Sequence, residues 1–180
     1  MSNQIVPLLS YTSSKPNAIS VSKIIGEDQK LLNQLIEIIL GDEFVYAQRA
    51  SHTLIHTIEI NSLTLTDSQL CLLIDNLINR EDQHPGVARN VLRSMHFSST
   101  FPESKSAQLY DYCLHKIGNP TYPIAVQAFA INVAYTIALP FKELQEELLS
   151  ALELAKESDS TGLRSRIVVF IKKIRKNIKS

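Results

Sequence analysis

A short pattern returns along this chain at an interval close to forty residues. Small or apolar residues stand at i, i+4 and i+8 in four sets: Tyr46/Ala50/Leu54, Val87/Val91/Met95, Val126/Ala130/Ala134 and Leu163/Ile167/Ile171. The sets begin 41, 39 and 37 residues apart. A spacing of four places each set on one face of a helix. Each interval holds two helices and their turns, and a lone helix pair leaves one apolar face open to water. Stacking pair on pair closes that face, so the pattern predicts an array of helix pairs.

The punctuation agrees. Leu31, Leu32, Leu35, Ile36 and Ile39 recur at helical spacing and stop at Gly41. Asp42 is expected to cap a second helix carrying Phe44, Ala47, Ala50, Leu54 and Ile58. Thr66-Asp67 opens the next, with Leu70, Leu73, Ile74 and Leu77, and His84-Pro85-Gly86 precedes Val87, Val91 and Met95. A polar connector over 97–105 leads to Leu109, Tyr110, Cys113, Leu114 and Ile117, closed by Gly118-Asn119-Pro120. Val126, Ala130 and Ala134 follow, and Pro140 separates them from Leu144, Leu148, Leu149 and Leu152. The last helix starts near Ser160 or Thr161 with Leu163, Ile167, Ile171, Ile174 and Ile178 inward. A shorter helix over about 14–25 tolerates Pro16 in its first turn. The predicted organisation is an N-terminal tail over 1–13 and one all-α domain over 14–180.

Several functions are disfavoured by what is missing. The five glycines are dispersed, so no phosphate-binding loop exists. Cys71 and Cys113 lie in apolar stretches without a Cys-x-x-Cys pair and read as buried thiols. No basic segment followed by an apolar run opens the chain, and no window approaches a membrane-spanning length, so the expected compartment is the cytoplasm, without membrane insertion.

Arg49-Ala50, Ala88-Arg89-Asn90 and Val126-Gln127-Ala128-Phe129-Ala130 set a basic or polar residue beside a core position. Over about residues 28–178 the chain thereby resembles HEAT-like, armadillo-type repeat proteins. Gly41-Asp42-Glu43, Gln48-Arg49-Ala50 and Gly162-Leu163-Arg164-Ser165-Arg166 are similar to small bacterial HEAT-like proteins without established function, some labelled adenylosuccinate lyase. The resemblance implies a right-handed α-α superhelix of about four HEAT-like pairs plus a short N-terminal helix. The mobile loop of the lyase reads Ser-Ser-x-Met-Pro-x-Lys-x-Asn. Ser13-Ser14-Lys15-Pro16-Asn17 lacks its Met and its spacing.

His52 and His56 share a helical face, with Glu59 three residues on, a spacing able to hold a metal. The glutamate that a zincin places directly after its first histidine is missing, and the reading is a helix face without metal or cofactor. Arg49 and Arg89 occupy related positions in successive repeats, suited to bonding the adjoining unit or to receiving an anionic ligand. Net charge is zero, yet residues 160–180 hold seven basic side chains (Arg164, Arg166, Lys172, Lys173, Arg175, Lys176, Lys179) and no acid. The remaining residues hold 11 basic and 18 acidic ones. That helix is a solvated terminal cap or a docking surface for an acidic partner or phosphate. The expected function is a non-enzymatic module binding a protein partner. Nucleic-acid binding through the basic helix is the alternative, and an enzyme related to the lyase label is the third.

Overall fold

Side-chain caps open five of the helices in the computed structural model, which describes residues 4–11, 13–80 and 83–179. Among the described residues there are ten α-helices and no strand: α1 (Val6–Leu9), α2 (Lys15–Ile25), α3 (Gln29–Leu40), α4 (Phe44–Asn61), α5 (Asp67–Asn79), α6 (Pro85–Met95), α7 (Glu103–Lys116), α8 (Ile124–Ala138), α9 (Lys142–Leu154) and α10 (Thr161–Lys179). Ser14 Oγ accepts the Asn17 N–H at the start of α2, and Asp28 accepts from Lys30 and Leu31 at the start of α3. Thr66 and Gln69 close a reciprocal capping box on α5. Ser160 Oγ accepts from the Leu163 N–H at the start of α10.

The repeat sets lie where the pattern puts them. Every member is buried except Tyr46, which is half-buried, and Ala50, Val91, Ala130, Ala134 and Ile167 are wholly inaccessible. The chain is all-α, built from helix pairs in which the first helix (α3, α5, α7, α9) packs on the second (α4, α6, α8, α10).

Contacts gather into two compact units, residues 1–98 and 99–180. In the first, α4 packs on both α2 and α6 to form a second-helix layer, and α3 on α5 to form a first-helix layer. In the second, α8 packs on α10. The Tyr110 hydroxyl of α7 donates to the Leu144 carbonyl of α9 at 2.7 Å. The turn after α7 depends on Gly118, whose φ of 73° is left-handed. A Cβ there would sit 2.8 Å from the Cβ of Ala155.

Local expectations need correcting at four places. The stretch read as a tail contains α1, and Ile5 and Leu9 are buried; residues 1–3 and 12 lie outside the described residues. Asp42 does not cap α4: Glu43 holds the N-cap position without a side-chain bond, and Asp42 Oδ1 faces Arg80 Nη2 at 3.2 Å. Phe44, expected in the core, is 47% exposed, because the buried stripe of α4 begins a turn later at Ala47. Cys113 is fully buried, and burial pushes its thiol pKa well up, whereas Cys71 is half-exposed.

Candidate functional site

Polar contacts between successive pairs join residues about one repeat apart. Asn90 Nδ2 donates to Ser51 Oγ at 3.0 Å, with both residues buried. Gln69 Nε2 donates to Asn33 Oδ1 at 2.8 Å. A helix ends in carbonyls without intrahelical partners, and arginines from the following repeat supply them. Arg49 Nη1 donates to the Leu9 and Ser10 carbonyls at 2.8 and 3.1 Å, and Arg80 Nη1 to those of Leu40 and Gly41 at 3.1 and 2.9 Å. Arg49 is therefore committed to closing α1. In the second unit Arg166 Nη1 donates to Asn132 Oδ1 at 2.8 Å and to the Ala128 carbonyl at 3.3 Å, fastening α10 to α8.

The histidines do meet. The rings of His52 and His56 lie 5.1 Å apart, edge to face, and His56 Nδ1 is 3.4 Å from Glu59 Oε2. The other oxygen of Glu59 accepts from Arg93 Nη2 at 2.8 Å, so this carboxylate serves an inter-helix ion pair. Burial lowers the His52 pKa, and the charges of His56, Arg89, Arg93 and Lys15 lower it further. Burial also lowers that of His56, against the pull of Glu59. Among the described residues no three His, Cys, Asp or Glu side chains gather as a metal-ligand set.

The remaining basic candidates divide by environment. Arg175 pairs with Glu153 at 2.7 Å. Lys173 lies 4.9 Å from the Phe170 ring centre. Arg164, Lys172, Lys176 and Lys179 are exposed on α10, the lysines spaced by four and three so that they form one stripe. Arg89 is exposed on α6, its guanidinium donating to its neighbour Asn90.

Charge segregates between the two layers of helices. In the first unit α2, α4 and α6 carry five basic side chains (Lys15, Lys23, Arg49, Arg89, Arg93) and one acid, Glu59. The first helices α1, α3 and α5 carry one basic residue, Lys30, against Glu37, Asp67 and Asp75. In the second unit α8 is uncharged and α10 has its seven basic residues, whereas α7 and α9 hold three basic residues against six acids. Summed over each unit, the second helices are thus net basic, through α10 alone in the second unit, and the first helices net acidic.

Repeat-spaced helix pairs joined by repeat-spaced polar rungs have a counterpart among known families: the model of the HEAT repeat domain matches residues 7–178. The chain belongs to the HEAT repeat family. Comparison with curated proteins and with solved structures gives no match. As a HEAT repeat chain it is a helical scaffold, and its small second-helix residues are where neighbouring helices approach. The Ser13–Asn17 segment compared with the lyase loop leads into α2, with Ser14 as its cap. No described helix is long and apolar enough to cross a membrane.

Sequence reasoning singled out the basic C-terminal helix but missed Lys15, Lys23 and Arg93. Their charges are isolated along the chain, one or two per helix, and become a pattern only when alternate helices are counted together. That signal was present in the sequence once the repeat was aligned.

Proposed function

We propose that this chain is a non-enzymatic interaction scaffold of the cytoplasm that binds a protein partner on the second-helix side of its repeats. The observation that carries this reading is the charge segregation. A terminal cap accounts for a basic α10, since cations are favoured near a helix C-terminus, but gives no reason for α2, α4 and α6 to share the same sign. A surface of the first unit that receives an acidic partner accounts for it. On α10 the exposed lysines Lys172, Lys176 and Lys179 are the side chains offered to such a partner, and Arg166 and Arg175 bond Asn132 and Glu153.

The test is affinity capture from the native host with the full chain and with Lys172→Gln/Lys173→Gln/Lys176→Gln/Lys179→Gln. A partner held by the wild type and released by the folded variant supports the reading. Equal capture by both returns α10 to the role of a cap. Nucleic-acid binding is the second reading, favoured by the same basic helices. Retention on heparin together with salt-sensitive binding of an oligonucleotide, and no protein captured, would select it.

A further inference from the structure

One stripe of α4 runs Val45, Arg49, His52, His56, spaced four, three and four residues apart. Beside it lies Lys15, in the first turn of α2, whose neighbours Ser14 and Asn17 line the same hollow as His52. Arg89 and Arg93 of α6 are set there by the Asn90–Ser51 hydrogen bond next to His52 and the Arg93–Glu59 ion pair. The charges of all three act on His52. Lys15 and Arg89 are exposed and His52 is half-buried, whereas His56 is buried behind them in contact with Glu59, itself paired to Arg93. The surface therefore has three outward cationic or protonatable groups and one carboxylate already committed. At the head of the stripe Val45 is 56% exposed. A phosphate strand would leave that apolar side chain unused, whereas a peptide alternating acids with an apolar residue would engage Val45 together with Lys15, His52 and Arg89.

We propose that Lys15, His52 and Arg89, with Val45 at the end of the row, form a second docking surface in the first unit for an acidic, apolar-anchored segment of a partner protein, tightened by protonation of His52. This deepens the scaffold reading and rests on it. The neutral imidazole contributes a hydrogen bond; the imidazolium adds a charge that the incoming carboxylate stabilises, so binding and proton uptake are coupled. The charged groups facing His52 are Lys15 from α2, Arg89 and Arg93 from α6, and His56 on α4 itself. Glu59 acts on His56.

The experiment is fluorescence anisotropy of the full chain with a labelled peptide of Glu-Glu-Leu repeats, against an all-glutamate peptide and an oligothymidylate as competitors. The expected result is that Glu-Glu-Leu binds more tightly than either competitor. Lys15→Gln/Arg89→Gln should weaken binding by about tenfold or more while circular dichroism stays that of the wild type. Because the folded His52 pKa lies below 6.5, affinity should rise severalfold from about pH 7 to about pH 5, and His52→Asn should flatten that rise. Wild-type affinity in Lys15→Gln/Arg89→Gln, a pH-independent affinity, or displacement by oligothymidylate would overturn the proposal. Loss confined to the α10 lysine variant would overturn it while leaving the scaffold reading standing.

Discussion

Replacing Arg80 by alanine removes the group that closes α3. Its Nη1 donates to two carbonyls at the end of that helix, and the side chain is only 20% exposed. Hydrogen bonds from a charged donor contribute roughly 1.5–3 kcal/mol, and water can reach half-buried carbonyls, so the lower end applies. The cation at a helix C-terminus adds about 0.3–1 kcal/mol. The Asp42 partner is 98% exposed and adds little. Arg80→Ala is therefore expected to cost about 2 kcal/mol. Arg80→Lys keeps the charge but loses the second nitrogen, which faces Asp42, and the guanidinium's fixed geometry, and should fall between wild type and alanine. Asp42→Ala should stay within about 0.5 kcal/mol of wild type. Urea unfolding followed by far-UV circular dichroism reads all three. An unchanged midpoint for Arg80→Ala, or an Asp42→Ala loss as large as that of Arg80→Ala, would refute the assignment of Arg80 as the terminator of α3.

Other consequences follow from burial and charge. Ala130 has no accessible surface, so Ala130→Leu should overpack the α8 contacts and cost about 1–3 kcal/mol, read by thermal or urea unfolding. Ile167→Ala should lose about 2–5 kcal/mol, whereas the quadruple lysine-to-glutamine variant of α10 should unfold close to wild type. A thiol reagent should label Cys71 first and reach Cys113 only on unfolding, because Cys113 is wholly buried with its thiol pKa raised. His52 and His56 have folded pKa values below the ordinary 6.5, so the unfolded chain takes up protons first as pH falls. Stability from this pair is complete above the unfolded value and lost as pH drops toward the folded ones, and a urea series across pH should show the decline shrink in His52→Gln.

The repeat was legible because helix contact needs small or apolar side chains at fixed spacing, and eleven of the twelve positions it marked are buried. Tyr46 is the exception, half-buried in the first turn of α4. What escaped was either local or combinatorial. Asp42 looked like a cap, but its carboxylate is drawn to Arg80, a partner 38 residues away that no local rule brings near. Helix α1 is a single turn, too short for periodicity to register, and exists because Ile5 and Leu9 are buried and Arg49 binds its carbonyl end. The dual use of arginine was foreseeable only as an alternative: Arg49 and Arg166 bond the adjoining repeat, whereas Arg89 is exposed. The basic second-helix side needed the pairing of helices before the scattered charges within each unit could be counted as a surface.

That surface is the centre of the functional account, and a charge-neutralisation comparison tests it most directly. Partner capture should be measured for the wild type, for the α10 lysine-to-glutamine variant, and for Glu143→Gln/Glu146→Gln/Glu147→Gln on the first-helix side of the same unit. All three side chains of that control are exposed on α9, so the fold should tolerate their neutralisation. The account predicts that the lysine variant releases the partner and the glutamate variant retains it, with wild-type binding weakening as salt rises. Retention by the lysine variant and release by the glutamate variant would contradict it.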